Sequence, residues 1–392
     1  MNSVMSTIKS YTVVFVALFL SAIGISSYTY LSPQYLKPWH KDYAQKFADP
    51  RLQLAAHGIL AANGHNMQPW KINLDPDANV FYLFADGARL TPEVDPLLRQ
   101  TMVSQGTFLE YLSVAGKQLG YKVDIVLFPD GEYDENNLAS SINSLPVAKI
   151  TLAKTKPIAT PLYDCLFLAD TNRSPYLSTP LTEEQVRQII GIHSDSIVTL
   201  SLYQSQEDLK KLGGYANAGT KIESGLHRMN VESANIFRAT EREKNAYRYG
   251  FSVEGQGTSG VMKYILEAFI TLFPSSNNEA ASKARNIALT EAAVAHTPGY
   301  ALIISKTNSR SAQVESGMLY SRLILTGHAL GLVMQPTSQV LEEYPEMKEQ
   351  YDSIRKSYAP TGGTIQMFVR LGLPKKEYPP TMRQDVLGFV IN

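Results

Sequence analysis

The chain has 392 residues, of which 44% are hydrophobic and 18% are charged, a composition that suits one large or two ordinary globular units. Lysine plus arginine and aspartate plus glutamate both number 36, and no run of like charge stands out, so we expect no nucleic-acid surface. Cys165 is the only cysteine, which excludes an intrachain disulfide and a thiolate metal cluster. Its apolar neighbours predict a core position.

The first 40 residues differ in composition from the rest of the chain. No charged residue lies between Lys9 and Lys37, and residues 11–25 are almost wholly apolar. Such a run approaches the ~20 residues that cross a bilayer as a helix. Aromatic residues of the kind enriched at membrane interfaces follow it: Tyr28, Tyr30, Tyr35 and Trp39. We predict that residues 1–40 are a single-pass membrane anchor with its flank, with a cleaved signal peptide as the alternative. The side on which the remaining chain lies stays open.

Beyond the anchor, strand-like and helix-like segments alternate. Apolar and β-branched content predicts strands at residues 80–84, 122–128, 148–153, 197–203, 300–305 and 365–371. Helical spacing predicts helices at residues 101–119, 182–192, 222–246, 280–296, 313–330 and 338–358. The pattern indicates a mixed sheet and helix architecture of the α+β class.

A short polar connection lies between an apolar helix-like run at residues 52–60 and the first strand. It reads His65-Asn66-Met67-Gln68-Pro69-Trp70 and brings together an imidazole, two amides and an indole. Such a connection suits a planar heteroaromatic ligand with polar edges. The alternative is that Pro-Trp is a packing anchor and the amides satisfy the turn.

The same connection resembles the Asn-x-Gln-Pro-Trp stretch of nitroreductase-type flavoproteins, and its His-Asn start is similar to the single-chain, Acg-like branch. That branch usually carries Ala-Pro-Ser just before, where this chain has Ala61-Ala62-Asn63. The resemblance implies a nitroreductase-like fold with FMN as cofactor. It places four residues along FMN: His65, Asn66, Gln68 and Trp70.

An internal repeat divides the chain. Residues 106–120 align without a gap on residues 317–331, so that Gly106 pairs with Gly317 and Gly116 with Gly327. A glycine inside a helix costs about 1 kcal/mol relative to alanine, so the shared offset of Gly116 and Gly327 predicts a close helix–helix approach. We predict two related halves, residues 41–165 and 166–392, that meet as a symmetric dimer would.

The second half begins with Asp170-Thr171-Asn172-Arg173-Ser174-Pro175-Tyr176. Its Thr-Asn-Arg core resembles the phosphate segment of the Acg-like branch, although an aspartate stands where an arginine is often found. A guanidinium can hold phosphate with a bidentate fork. The resemblance implies a phosphate site at Thr171, Asn172 and Arg173; an ordinary turn is the alternative.

Two further segments carry the resemblance in the second half. By analogy with the family, Pro336, Thr337 and Ser338 line the flavin ring after the helix that ends near Gly331. The closing Arg370-Leu371-Gly372 is similar to the Arg-x-Gly of the branch. Arg370 is therefore a second phosphate candidate, with an ordinary surface-strand arginine as the alternative.

Residues 255–260 read Gly-Gln-Gly-Thr-Ser-Gly and match the dinucleotide fingerprint, but no convincing strand precedes them. We predict a loop whose Thr258 or Ser259 caps an apolar helix at residues 261–273. In the Acg-like branch this region can cover the flavin, so residues 248–278 are a lid-like insertion, and we expect the helix to be core. The histidines are scattered and predict no metal site.

These observations predict an FMN-dependent oxidoreductase of nitroreductase type, tethered to a membrane. Hydride would pass from NAD(P)H through flavin N5 to a nitroaromatic or quinone-like acceptor, with no catalytic side chain. One FMN is expected per chain, since each motif occurs once, and the fused halves predict a monomer. The alternatives are an FMN-sequestering protein with a lid-covered flavin and no turnover, and an anchored scaffold without flavin.

Overall fold

The computed structural model describes residues 33–192, 197–273 and 278–391. The predicted anchor at residues 11–25 lies outside these ranges and stays a prediction. Within them, no helix combines the length and the apolar character that a membrane span requires.

Two aromatic residues predicted at a membrane interface instead belong to the fold. Tyr35 and Trp39 lie on a 3-10 helix, Gln34–Trp39, and are 2% and 7% exposed. The Trp39 indole N–H donates to the carbonyl oxygen of Thr381 at 2.7 Å, near the other end of the chain. The prediction for Tyr35 and Trp39 was wrong because their polar atoms have partners inside the protein.

The described ranges form twelve α-helices and nine β-strands, numbered in chain order. The helices are α1 (Pro50–Gly58), α2 (Arg99–Leu119), α3 (Leu138–Ser144), α4 (Leu162–Cys165), α5 (Glu183–Ile190), α6 (Gln206–Glu223), α7 (His227–Asn235), α8 (Glu241–Tyr247), α9 (Gly260–Leu272), α10 (Glu279–Val294), α11 (Arg310–Ala329) and α12 (Lys348–Tyr358). The strands are β1 (Trp70–Leu74), β2 (Val80–Ala85), β3 (Tyr121–Leu127), β4 (Ala148–Lys154), β5 (Val198–Tyr203), β6 (Gly299–Ser305), β7 (Val333–Pro336), β8 (Thr364–Gly372) and β9 (Val390–Ile391). The predicted α+β class is confirmed.

Two sheets are present in the described part of the chain, and their strand orders correspond. The first sheet has the order β3-β4-β2-β1-β9, and the second, taken from its other edge, has the order β7-β8-β6-β5. A long helix connects the corresponding strands in each case, since α2 lies between β2 and β3 and α11 between β6 and β7. All pairings within these two sets of four strands are antiparallel, whereas β9 joins β1 in parallel.

The helices α2 and α11 pack against each other at the centre of the molecule. A side chain on Gly106 would collide with the carbonyl oxygen of Val314, and one on Gly317 would collide with that of Val103. The two aligned glycines therefore allow the two backbones to touch, and any larger residue would separate the helices.

The close helix–helix approach predicted at Gly116 and Gly327 was wrong. An added Cβ on Gly116 would meet Val123 at 2.5 Å, and one on Gly327 would meet Met334 at 2.7 Å. Both neighbours belong to the strand that follows the respective helix. The two glycines are equivalent in position, but they allow helix–strand rather than helix–helix contact.

Most predicted elements are present. All six strands occur with ends within one residue of the prediction, and four helices occur with small shifts. The helix predicted at residues 222–246 was wrong, because Ser205 caps a separate helix α6 and Thr240 caps α8. The helix predicted at residues 338–358 begins only at Lys348, since Pro345 cannot continue a helix.

The environments of Cys165 and of the apolar helix α9 were also predicted. Cys165 is 7% exposed and packs in the same apolar core as Trp70 and Phe108, as predicted. The apolar helix α9 is not core: Val261 is 75% exposed and Phe269 48%. That prediction was wrong because the charged residues of this helix bind partners in the protein, while most of its large apolar residues are exposed.

Candidate functional site

The first motif has an unusual backbone. His65, Asn66 and Gln68 adopt φ values of 53°, 54° and 53°, in the left-handed region that residues with a side chain rarely occupy. Each such residue costs about 1 kcal/mol or more, so surrounding contacts must hold the connection in place. One such contact is a hydrogen bond that the Gln68 backbone N–H donates to Asn63 Oδ1 at 2.7 Å. Asn63 thus supplies a polar group that binds the motif itself.

The two amides of the motif bind two distant segments of the chain. Asn66 Nδ2 donates to the carbonyl oxygen of Gly250 at 3.2 Å, and its Oδ1 accepts from Arg383 at 2.7 Å. Gln68 Nε2 donates to the carbonyl oxygen of Arg248 at 2.8 Å, and its Oε1 accepts from the backbone N–H of Gln384 at 2.9 Å. The amides therefore join the first half to residues 248–250 and 382–384 of the second.

Trp70 lies in the core of the first half. It is 0% exposed, its indole N–H donates to the carbonyl oxygen of Ser104 at 2.8 Å, and its ring packs against Phe108. This placement corresponds to the packing-anchor interpretation of the Pro-Trp pair.

Asn172 and Arg370 of the second half come together beside β7 and β8. The Asn172 backbone N–H donates to the carbonyl oxygen of Met334 at 2.8 Å. Arg370, which is 0% exposed, donates to Gln335 Oε1 at 2.7 Å and to the carbonyl oxygen of Ser174 at 2.8 Å. Its guanidinium lies 3.9 Å from the centre of the Tyr176 ring. The surface-strand alternative for Arg370 was therefore wrong.

The segment predicted to line the flavin ring follows β7 directly. Pro336 pairs with Val369 at the end of the sheet, Thr337 N–H donates to the carbonyl oxygen of Phe368 at 2.8 Å, and Ser338 Oγ accepts from the Phe368 N–H at 3.1 Å. These contacts hold the segment beside the strand that carries Arg370. Thr171 is partly buried between Asp170 and Asn172, which are both buried.

Arg173 and Arg370 share one electrostatic property. Across the described residues, no carboxylate makes an ion pair with either guanidinium, whereas buried Arg310 and Arg383 each have one. Arg370 Nη1 is buried without a hydrogen-bond partner, and Arg173 donates through Nε to the carbonyl oxygen of Gly255 at 3.2 Å. Burial lowers the pKa of Arg370, and the charge of Arg173 acts in the same direction.

Two acidic residues that the motifs did not indicate lie beside the first motif. Ligating atoms of His65, Glu223 and Glu342 all lie within 4.8 Å of one another. Glu223 ends α6 and Glu342 follows a 3-10 helix, Ser338–Leu341. No sequence signal could have paired them, because they come from separate segments that meet only in the folded chain.

The titration properties of this cluster follow from its burial. Burial raises the pKa of Glu223 to about 7, although the charge of Arg173 opposes the shift. Burial and the neighbouring Glu223 raise the pKa of Glu342 well above its usual range. Burial also lowers the pKa of His65 to about 4, and Arg173 adds to that effect. Burial therefore favours the neutral forms of all three side chains in this cluster.

The loop predicted as part of a lid-like insertion contacts both motifs. The Gly250 N–H donates to the carbonyl oxygen of Asn66 at 2.9 Å, and the Phe251 ring lies 5.4 Å from the His65 ring, centre to centre. The contact between Arg173 and Gly255 holds the same loop against the second motif. The structure thus brings His65, Asn66, Gln68 and Arg173 together under residues 248–255, and places Trp70 apart from them.

Comparison with known proteins gives one related sequence and several solved structures. The chain is 25% identical over 143 residues to a probable NAD(P)H nitroreductase, PigM, from a Serratia species. This match spans 36% of the present chain and 39% of the relative, less than two thirds of its length. No family model matches the chain.

Among solved structures, a nitroreductase with bound FMN from Desulfitobacterium hafniense is 11% identical with a TM-score of 0.35, and the match covers 58% of this chain and 96% of that one. The FMN-dependent nitroreductase NfnB from Mycobacterium smegmatis, in complex with NADPH, is 11% identical with a TM-score of 0.29, and the match covers 53% and 84%.

Proposed function

We propose that this nitroreductase-like chain binds one FMN and passes hydride from NAD(P)H to a quinone or nitroaromatic acceptor. The similarity to the Serratia relative supports the family relationship that the motifs predict. The observation that carries the proposal is the pair of arginines, Arg173 and Arg370, that have no carboxylate partner among the described residues.

A buried cation without a counter-charge is costly, because the protein interior solvates it less well than water does. Arg370 carries this cost at 0% exposure, and one of its N–H groups is unpaired. A phosphate group between Arg370 and Arg173 would neutralise both cations and accept the unpaired hydrogen. Guanidinium groups suit phosphate because they offer several N–H donors in one plane. We infer that this is where the phosphate of FMN binds.

The remaining predicted residues would surround the ring. His65 Nδ1 is buried without a partner, so it can bind a polar edge of a flavin. Pro336, Thr337 and Ser338 lie on the β7 side, next to the strand of Arg370. Asn66 and Gln68 hold the connection in its left-handed conformation, and we assign Trp70 to packing rather than to ring contact.

When bound, FMN would supply the two-electron redox chemistry. Reducing a quinone or a nitro group also consumes protons. Two carboxyl groups that could supply them, Glu223 and Glu342, lie beside His65. The protonated forms of Glu223 and Glu342 are favoured because the two carboxyl groups lie close together and are shielded from water. The covering loop at residues 248–255 would limit the access of water to this region.

We further propose that residues 41–165 and 166–392 are two fused copies of one unit. The corresponding strand orders of the two sheets and the facing glycines Gly106 and Gly317 support this interpretation. The motif of the first half faces the phosphate segment of the second, as two subunits would share one cofactor. A monomer would then contain a complete site, with residues 248–278 as its lid.

The decisive experiment is the absorption spectrum of the purified full-length protein, followed by quantitation of the flavin released by acid. We expect a yellow protein with one FMN per chain and a single species at the mass of a monomer. The control variant Arg187→Ala should retain as much flavin as the unmodified protein, because Arg187 is an exposed arginine paired on the surface with Glu184. A colourless protein that also fails to bind added FMN would refute the proposal, and a ratio near two would refute the single site.

The loop contacts favour a second candidate function, FMN sequestration without turnover. Gly250, Phe251 and Gly255 bind or pack against both motifs, so the site is covered in this conformation. Anaerobic addition of NADPH separates the two functions. The flavin of a site that opens to the nucleotide should lose its yellow colour within seconds to minutes, whereas a sequestered flavin should stay yellow.

A further inference from the structure

The helix α9 presents its apolar residues to solvent and its charged residues to the protein. Its charged side chains, Lys263 and Glu267, bind Glu254 and Lys244 in a buried network. Its exposed large side chains are all apolar or aromatic: Val261, Met262, Tyr264, Ile265, Phe269 and Leu272, followed by Phe273. An ordinary surface helix of a globular protein has the opposite arrangement, with its apolar residues facing the core and its charged residues facing the solvent. An exposed face made of seven large apolar or aromatic side chains marks an interaction surface.

The position of this face within the chain identifies its partner. The 3-10 helix at Gln34–Trp39 packs beside α9, because the Tyr35 hydroxyl donates to Glu254 at 3.2 Å and Glu254 binds Lys263 at 3.0 Å. Residues 26–32 connect this point to the apolar run at residues 11–25. Seven residues of chain span at most about 25 Å. If residues 11–25 are the predicted anchor, the bilayer that holds them is therefore within reach of the exposed face of α9.

We propose that the apolar face of α9 rests on the bilayer surface and that the acceptor of the enzyme is a quinone dissolved in the membrane. An interfacial helix buries its apolar face at the boundary of the acyl chains and keeps its polar groups away from them. Here those polar groups are Lys263 and Glu267, which the protein itself neutralises. The assignment of the quinone rests on the function proposed above, whereas the membrane contact does not.

The helix is joined directly to the loop that covers the motifs. Gly255, whose carbonyl oxygen accepts from Arg173, lies five residues before the first residue of α9. A cavity of about 200 Å³ lies at this junction, with walls that include Tyr35, Gly260, Tyr264 and Pro379. A quinone that leaves the bilayer at α9 would meet this cavity before the covering loop. In the reaction, hydride from NAD(P)H and one further proton convert the quinone to the hydroquinone and leave NAD(P)⁺.

Fluorescence quenching tests the membrane contact without using the flavin. The full-length protein is prepared as Phe269→Cys and, as a control, Val126→Cys, both with Cys165→Ala. Val126 is 56% exposed on β3, similar to Phe269 at 48%, but lies in the first sheet. An environment-sensitive fluorophore is attached at each site, and the proteins are reconstituted in phosphatidylcholine vesicles that contain nitroxide-labelled lipid. Quenching at position 269 and not at 126 is the expected result.

Three results would overturn the membrane contact. They are no quenching at either position, equal quenching at both, and a blue-shifted but unquenched label at 269. The last result would mean that another part of the chain, or a second copy of it, covers the helix.

The acceptor is tested with Ile265→Ser combined with Phe269→Ser, and with Val126→Ser as the control. We expect the oxidation of NAD(P)H by a long-chain quinone in vesicles to fall about tenfold, since the two changes remove apolar burial worth more than 1.4 kcal/mol. The rate with a water-soluble quinone should stay unchanged. An equal loss with both quinones, or no loss, would overturn the membrane acceptor. A colourless protein would overturn the flavin and the quinone together, while the quenching result would still decide the membrane contact.

Discussion

Arg383 and Arg370 are both fully buried and each has one buried nitrogen without a hydrogen-bond partner, but only Arg383 has a carboxylate partner. Arg383 binds the Asp170 carboxylate at 3.2 Å, Asn66 Oδ1 at 2.7 Å and the carbonyl oxygen of Leu60 at 2.9 Å. Arg370 donates only to neutral oxygens, and its Nη1 has no hydrogen-bond partner. The charge of a buried cation with its own carboxylate is compensated within the protein, whereas a buried cation without a carboxylate favours an external anion.

This comparison separates structure from function in residues of the same type. The Arg383 region joins the motif of the first half to the end of the chain, and Trp39 lies over its guanidinium at 4.7 Å. The Arg370 region contains the second-half residues predicted for phosphate. Substitutions in the first region should therefore affect folding, and those in the second should affect cofactor binding.

The largest effect is expected for Arg383→Met. This change leaves Asp170 buried without its cation, and breaking a buried pair in this way costs about 3–5 kcal/mol. The free energy of unfolding, measured with urea, should fall by that amount. Arg187→Met serves as the control, because its surface pair with Glu184 contributes little. If the free energy of unfolding fell by less than 1 kcal/mol, Arg383 would not be essential for folding, and the proposed difference between the two arginines would be wrong.

Next in size is Arg173→Ala, which should act on the cofactor and spare the fold. Losing a charge-assisted contact to phosphate costs on the order of 2 kcal/mol, or some thirtyfold in FMN affinity. Fluorescence titration of the flavin-free protein measures the affinity, and urea unfolding of the same sample should match the unmodified protein. An unchanged FMN affinity would remove Arg173 from the site.

Glu223→Gln should alter the pH dependence of stability. Because burial raises the pKa of Glu223 to about 7, the folded chain binds this proton more tightly than the unfolded chain does. The resulting stabilisation is fully present below the unfolded pKa near 4.5 and is lost as the pH rises towards 7. Between pH 5 and pH 8, the free energy of unfolding should fall by about 2 kcal/mol more in the unmodified protein than in the variant. If the free energies of unfolding of the variant and the unmodified protein changed in parallel with pH, folding would not raise the pKa of Glu223.

The smallest effect is expected for Arg370→Lys. Lysine keeps the positive charge but loses the planar fork, so FMN affinity should fall by about threefold to tenfold, less than for Arg173→Ala. The two titrations are compared under the same conditions. A larger loss for Arg370→Lys than for Arg173→Ala would reverse their assigned importance.

The strands and the long helices could be predicted from the sequence because their apolar spacing is regular and agrees with their burial. The helices at residues 222–246 and 338–358 could not, because capping by Thr240 and the ring of Pro345 override that spacing. The position of α9 was predicted correctly, but not its exposure. Apart from Lys263 and Glu267 the helix is largely apolar on all sides, and the ion pairs of these two residues decide which face lies inside.

The motifs of the candidate site could be predicted by resemblance, but their contacts could not. Asn66 and Gln68 carry the expected groups, yet these bind the loop at residues 248–250 and the segment at residues 382–384. Glu223 and Glu342 were missed because their meeting depends on how α6 packs beside the first motif. Long-range contacts between polar residues follow no local period, so only the folded chain reveals them.

The pairing of β9 with β1 has a consequence for how this protein folds during synthesis. Ile72 and Asn73 pair with Val390 and Ile391, so the outer edge of the first sheet is covered by residues made long after it. Until then, the emerging first half carries an unpaired strand edge, which can join to other chains. Slow translation or an early stop codon should therefore produce a species that aggregates through β1, even though every motif of the first half has already been made.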